Sequence, residues 1–424
     1  SDGKLCAQRI NLSADKETID TKVGSIRYVS EDLNRIVYEK KGDVYVYMGT
    51  DEPVKVKGIK GEYYPIDTDG DIKIVWAESS GSEDRDLSAF IDDDMAEADA
   101  GVSAPNIADY QHKETKDSFW GPREATVTDD KYYEDMEKYE EVRKRNELRD
   151  TLKNAIQVGN VKYYVYSAKE DDKTELYDGP GSIEISYISS AVIYKTYDLE
   201  SINRVKFSDL MGSGYADIQE QLSQILNASS RMMLYNGKDS HSLDLGSEAD
   251  DQKLLIKLAD KETGMLYFTL SSGSRSEEIP LYSVSYEKND GKVSEYTDDF
   301  GLAVLAYKGG VLYLTDIEAN KGELYYGDER IASDVLVGSI RRSKDKENIY
   351  FLENGDSDGN GDLYIYSGKK TKIDNDVHDY RFNEKNDIAY LTDYSAKSNE
   401  GDLKIYKGGK ITDVDDNVQK ILYY

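Results

Sequence analysis

The chain has one cysteine, Cys6, in 424 residues. That excludes a disulfide framework and any zinc site built from several thiolates, and it leaves the redox compartment open. Ser1–Leu5 ahead of it is not an apolar signal region, so Cys6 does not read as a lipidated cysteine. Only six prolines occur, and no polar low-complexity tract, which argues against a long disordered linker. No apolar run approaches the roughly 18 residues that span a bilayer. The three histidines (His112, His241 and His378) are far apart, and none has the His or Glu spacing of a zinc site. There is no Gly-x-Ser-x-Gly elbow, phosphate loop or dinucleotide fingerprint. Positive charge is scarce: 54 Lys and Arg against 84 Asp and Glu give a formal charge of −30. A nucleic-acid or anionic-lipid role, which needs a clustered positive surface, is therefore not expected. The charge favours solubility and attracts cations or a basic partner.

What the chain has in quantity is tyrosine, 36 against seven phenylalanines. A ring with a polar tip suits strands buried on one face and wet on the other. Near the end one pattern is written twice. Ile349–Leu352, Gly361–Tyr366 and Ile373–Val377 are followed about forty residues later by Ile388–Leu391, Gly401–Tyr406 and Val414–Val418. The Gly-Asp-apolar run at 361 and 401 also stands far upstream, at Gly42–Tyr47. Short apolar runs separated by Gly, Asn, Asp and Lys read as strands joined by turns. Four strands per unit at a period near forty mark a propeller blade.

The expected fold is therefore all-β, a β-propeller of four-stranded antiparallel blades spanning 1–424 as one domain. The first full unit covers Ile26–Val56, and the sixth and seventh are the pair just described. Val418–Tyr424 reads as one further strand, and Leu5–Leu12 and Glu17–Thr21 as two orphan strands. Joined in one composite blade they close the ring, so eight blades are expected, with seven as the alternative. Two helical insertions interrupt the pattern, at 84–158 in the second unit and at 201–229 in the third. In the first, Asp129 stands where a helix from about Lys131 to Ile156 begins. Tyr132, Met136, Tyr139, Leu148, Leu152 and Ala155 give it an apolar face, expected to lie on the propeller. In the second, Leu210, Ile218, Leu222 and Ile225 form the expected core face. Trp120, before Gly121 and Pro122, is expected to anchor the long insertion; the alternative is an aromatic exposed on a loop that stacks on sugar or peptide.

The units resemble the blades of TolB-type bacterial propellers, relatives of the WD-type repeat. The resemblance rests on polar turns ahead of an Ile-led strand, at Glu31–Asn34 before Ile36, Lys344–Glu347 before Ile349 and Asn383–Asn386 before Ile388. The Gly/Asp-apolar-Tyr-apolar strand and its Gly-rich turn follow. The chain departs from that family by lacking its Pro-Asp-Gly turn and by carrying the insertions. It also resembles extracytoplasmic propellers of anaerobic Gram-positive bacteria. The resemblance implies fold and an extracytoplasmic or cell-surface location, and no particular activity, because propellers host many. The first residue is not Met, so a leader or anchor is expected to have stood before it.

One motif suggests a ligand. Asp356, Asp358 and Asn360 alternate ahead of Gly361 and Asp362, as at the start of a calcium loop, where oxygens wrap the ion. Ser367 stands at the twelfth place, where such a loop carries Glu. A polar hairpin turn uses the same residues, so both readings stand. Asp67, Asp69 and Asp71 alternate around Gly70 and read as a turn. The function expected is a non-catalytic extracytoplasmic propeller that binds protein or peptide, as a scaffold or sensor. The alternatives are a carbohydrate-active or lyase-type enzyme with acidic residues at the central channel, and a structural spacer.

Overall fold

The structure is a computed structural model. It describes residues 5–7, 17–30, 32–49, 52–68, 70–84, 90–92, 102–155, 157–198, 202, 204–245, 253–271, 279–288, 290–383 and 385–421. The fold is all-β, of the propeller class, and its unit is the four-stranded antiparallel meander. The first meander joins Ser25–Val29, Ile36–Lys40, Asp43–Tyr47 and Val54–Val56. The second joins Tyr63–Thr68, Asp71–Asp84, Gln157–Ser167 and Asp172–Pro180. The third joins Ile185–Ile188, Ala191–Tyr197, Ser230–Tyr235 and Ser240–Ser242. The fourth joins Lys253–Asp260, Met265–Ser271, Leu281–Ser285 and Ser294–Thr297. Three more run together in one eleven-stranded sheet, because the 13-residue strand Lys370–Phe382 ends the sixth meander and begins the seventh. The runs beginning at Gly42, Gly361 and Gly401 all occupy the third strand of their meanders.

Two local devices explain why these sequences fold alike. The first is a ring pair across the second and third strands. Tyr38–Tyr45, Trp76–Tyr164, Phe268–Tyr282, Tyr313–Tyr325 and Phe351–Tyr364 are directly opposed, with centroids 5.4 to 5.8 Å apart. Such aromatic pairs add about 0.5–1.5 kcal/mol each beyond their buried area. In the seventh meander Lys404 opposes Tyr390 instead, and both bond Asp374, at 3.4 and 3.0 Å.

The second device is the turn before the second strand. In the first meander Ser30 N–H donates to the Arg35 carbonyl (2.9 Å) and Ser30 Oγ accepts from Arg35 N–H (2.9 Å). Ser343 makes the same pair with Asn348, and Asn383 with Asp387 through its Oδ1. Each turn passes through the left-handed region, at Leu33, Lys346 and Asn386 (φ 58°, 66° and 61°).

The chain divides into two compact units, one comprising 1–65, 69–185 and 194–233, the other 66–68, 186–193 and 234–424. In the first, Val37, Val44 and Val46 of one meander pack on Ile72, Ile74 and Trp76 of the next. In the second, Leu312, Leu314 and Leu324 pack on Ile349 and Phe351, and Leu352 and Leu363 on Tyr380 and Tyr390. Core thus lies between successive sheets, as alternation of buried and wet residues requires.

Both insertions fall between the second and third strands of their meanders, and both are helical: α1 is Asp130–Ala155 and α2 is Tyr215–Ala228. α1 begins one residue after Asp129, as expected. It does not lie on the sheets by its whole stripe. Leu148 and Leu152 are buried against Phe207, Leu210, Ile218 and Leu222 of the second insertion and Phe90 and Ile91 of the first. Tyr132, Met136 and Tyr139 are only half-buried. Periodicity names an apolar face; here the face is covered by the other insertion, because Ile91 also bridges to Val205.

Within the described residues, the only sheets beyond the seven meanders are the pair Leu5–Ala7 with Glu17–Asp20 and one hairpin in the first insertion. The closing strand expected at 418–424 is not there as far as the described residues reach. The last strand ends at Val418 and 419–421 carry none; 422–424 lie outside the described residues. No helix among them is long and apolar enough to cross a membrane.

Candidate functional site

The feature that the fold leaves unexplained is the hairpin ahead of α1. Gln111–Ser118 pairs with Gly121–Thr128, and all eight residues of the first strand are exposed. Its base is held by Asp129 N–H, which donates to the Tyr110 carbonyl at 2.9 Å. Tyr110 Oη also donates to Asp135 on α1 at 3.0 Å, a bond that holds its hydroxyl above the usual pKa range. The Tyr110 ring meets Tyr132 edge-on at 5.6 Å. These contacts tie the stem to the helix and leave the tip in solvent.

The tip is Phe119-Trp120. Phe119 is 95 % exposed and Trp120 80 %, and their rings meet edge to face at 5.5 Å. Trp120 therefore does not anchor the insertion; its indole touches its neighbour and water. The turn beneath it is pinned. Ser118 Oγ donates to the Gly121 carbonyl at 2.7 Å and accepts from Trp120 N–H at 3.3 Å. Gly121 takes φ +95°, where a side chain is strained.

Charge sets the hairpin apart. Lys113, Lys116 and Arg123 balance Glu114, Asp117 and Glu124 over 111–128, so this segment is neutral in a chain of formal charge −30. Exposed apolar groups also concentrate here. Of fourteen large ones exposed among the described residues, five lie in this short region: Val102, Ile107, Phe119, Trp120 and Tyr133.

The alternating Asp motif forms a tight loop. Asp356 Oδ1 accepts from Asp358 N–H (2.9 Å) and Asn360 N–H (2.8 Å), and its Oδ2 from Asn360 Nδ2 (3.0 Å). Burial raises the pKa of Asp356, but the bonds from Asn360, Asp358 and Gly359 outweigh it and hold the carboxyl below its ordinary range. Asp358 Oδ2 faces Ala396 N–H at 3.4 Å. Asn360 is 8 % exposed and its Oδ1 has no partner among the described residues. Asp362 points elsewhere, to Lys372 (2.8 Å) and Asn354 (3.3 Å). The structure thus gathers Asp356, Asp358 and Asn360 on one turn and leaves Asp362 in an ion pair. Among the described residues no three His, Cys, Asp or Glu side chains come together as a metal site.

The other candidates take ordinary places. Asp71 accepts from Ser167 Oγ (2.6 Å) and Lys169 N–H (2.9 Å) and pairs with Lys73 (3.0 Å), closing a turn; Asp69 lies outside the described residues. His112 bonds Glu114 on the exposed stem. Burial holds the His241 imidazole below its ordinary range, against the nearby Asp290 and Asp239. His378 stacks on Tyr394 with centroids 3.8 Å apart.

No family model matches this chain, and no curated protein matches it. Solved structures do. The acylaminoacyl peptidase of Pyrococcus horikoshii is 13% identical over 92% of this chain and 53% of that chain, with a TM-score of 0.35. The chain thus spans about half the length of that peptidase. An oligogalacturonate lyase in complex with manganese is 10% identical over 89% of this chain and 76% of that one (TM-score 0.30). The β-propeller domain of the Trilobed protease from Pyrococcus furiosus, described as having an open velcro topology, is 10% identical over 93% and 98% (TM-score 0.30). Likenesses of this size assign no activity.

Proposed function

We propose that this chain is a non-catalytic, extracytoplasmic propeller of TolB-like kind that binds a protein partner through its projecting hairpin. The observation that carries the reading is the pair Phe119 and Trp120, held on a serine-pinned turn at the end of a charge-neutral stem. Aromatic anchors of this type dominate protein interfaces, and a turn already ordered loses less entropy on docking. The neutral stem lets a surface of either sign approach, where the rest of the chain repels acidic ones. Such a tip fits an apolar pocket on a folded protein. We also propose modest calcium affinity for the Asp356–Asn360 turn, supported by the buried, unpartnered Asn360 Oδ1.

The two tryptophans give the test. Trp76 is fully buried and Trp120 is 80 % exposed, so quenching by acrylamide reports on the tip. A partner isolated from the extracytoplasmic fraction should shield Trp120 on titration. Phe119→Ala with Trp120→Ala should weaken that partner by at least about 30-fold, since hot-spot anchors cost about 2 kcal/mol or more, with the melting temperature unchanged. An unaltered affinity overturns the reading. So does shielding of Trp120 by phosphatidylcholine vesicles, which would make the hairpin a membrane wedge.

A further inference from the structure

Asn-Gly occurs three times in this chain, at 236–237, 354–355 and 360–361. The middle pair follows the second strand of the sixth meander, which ends at Glu353, and the fold needs both of its residues. Asn354 is left-handed (φ 57°), a conformation that asparagine tolerates better than most residues. A Cβ on Gly355 would stand 2.4 Å from Leu336 Cδ2, so no other residue fits there. Keeping the dipeptide keeps its chemistry. Glycine has no side chain to shield its amide nitrogen, and that nitrogen can close on the Cγ of the asparagine before it.

The three side-chain amides are held very differently. Asn236 is half-buried and locked at both ends: its Nδ2 donates to the Tyr286 carbonyl (2.7 Å), and its Oδ1 accepts from Lys238 N–H (2.9 Å) and Asp239 N–H (3.0 Å). Asn360 is buried, and its Nδ2 donates to Asp356 Oδ2 and to the Tyr394 carbonyl, both at 3.0 Å. Asn354 is exposed, and among the described residues its amide makes one long bond, from Nδ2 to Asp362 Oδ2 at 3.3 Å. Gly355 is buried, yet its N–H has no hydrogen-bond partner among the described residues. A ring closes only if the amide leaves its partners and swings over the next nitrogen. Asn236 and Asn360 must first break two or three bonds away from solvent; Asn354 breaks one bond in water.

We propose that Asn354 is a site of spontaneous deamidation in the folded chain, and that the fold protects Asn236 and Asn360 from the same reaction. Gly355 N gives up its proton and bonds to Asn354 Cγ. The Cγ–Nδ2 bond breaks, and the amide nitrogen leaves as ammonia with that proton. Water then opens the cyclic imide. Opening at the Cγ carbonyl gives aspartate, and opening at the main-chain carbonyl gives isoaspartate, whose backbone runs through Cγ. The net reaction consumes water and releases ammonia. Either product sets a carboxylate where Nδ2 faced Asp362, so repulsion replaces a hydrogen bond beside the Asp362–Lys372 pair (2.8 Å). Isoaspartate also adds a methylene to a backbone already tight against Leu336. Conversion therefore loosens the connection between Ile349–Glu353 and Gly361–Tyr366.

The test is prolonged incubation of the intact chain at mildly alkaline pH, beside a sample unfolded in urea. Peptide mapping by mass spectrometry, with fragmentation to place the change, follows amide-to-acid conversion at the three asparagines. Labelling by an isoaspartate methyltransferase reports the second product. In urea all three should convert at similar rates. In the folded chain Asn354 should convert at least about tenfold faster than Asn236 or Asn360, as the bonds those two must break require. Isoaspartate should be among its products, and aged protein should melt below fresh protein. Conversion of Asn354 no faster than the other two in the folded chain, or aspartate without isoaspartate, overturns the assignment. So does the same preference in urea, which would place the selectivity in the flanking residues instead of the fold. An unchanged melt after conversion overturns the loosening.

Discussion

Replacing Leu152 by alanine isolates what holds the two insertions together. Leu152 is fully buried and packs in the cluster that α1 shares with Phe207, Leu210, Ile218 and Leu222. Alanine is the better helix former, so α1 itself is not weakened. What is lost is packing, which for a buried leucine costs about 2–5 kcal/mol depending on how far the site collapses. The cluster contains residues of the two insertions and none from the meander strands, so the loss should appear as local opening rather than as a lower global stability. Amides of α2 should exchange at least about 30-fold faster, which corresponds to the lower end of that range. Hydrogen exchange read by mass spectrometry compares the segment 215–228 with the strands Ile349–Glu353 and Gly361–Tyr366. Tyr133→Ala, at a position 62 % exposed on the same helix, serves as the control and should change little. Unchanged exchange in α2, or equal acceleration in the sheet strands, refutes a separate helical core. The same reasoning predicts that deletion of 84–158 strips α2 of its cover while the sheets keep a cooperative melt.

Asp20 accepts from Tyr38 Oη (2.7 Å) and Lys40 Nζ (2.6 Å). Burial raises its pKa, but these bonds and the Thr21 N–H outweigh it and leave the carboxyl below its ordinary range. Its contribution is therefore complete above the unfolded value of about 3.9 and is lost as pH falls through the lower folded value. Asp20→Asn should flatten the acid limb of the stability curve, and an identical limb in both proteins would sink the claim. Tyr380 is buried, with its hydroxyl between the carbonyls of Ser339 and Tyr350, the latter at 2.9 Å. Tyr380→Phe should cost about 1–3 kcal/mol in urea unfolding, and a change below about 0.5 kcal/mol would show those carbonyls satisfied by water. Calcium at ten times its dissociation constant should stabilise the parent by about 1.4 kcal/mol and leave Asp358→Ala unmoved; equal shifts, or none, reduce the Asp356–Asn360 loop to a hairpin turn.

The meanders were legible because each repeats a device visible in the residues themselves. A Gly-Asp-apolar-Tyr run must alternate its faces, and its tyrosine then falls opposite an aromatic in the preceding strand, as Tyr45 falls opposite Tyr38. The polar quartets before Ile36, Ile349 and Ile388 mark one turn closed by Ser30, Ser343 or Asn383. What could not be read is whatever depends on a neighbour outside the repeat. The α1 stripe showed an apolar face, but that its cover was α2, some eighty residues on, left no trace in spacing. Trp120 looked like an anchor because buried tryptophan is common, yet the even balance of charge over 111–128 was a signal that the segment obeys different rules from the rest of the chain. Arg341 and Arg381, which both donate to Asp379 Oδ1, are forty residues apart, the period of the repeat, and so occupy equivalent places in successive meanders. Equivalent positions on adjoining first strands stand side by side, so a residue type recurring at that period on the first strand builds a cluster instead of a core. Tyrosine recurring on the second and third strands packs the sheets; arginine recurring on the first gathers charge at one place. The period that writes the fold therefore also writes the cluster, and only the strand on which a residue recurs separates the two.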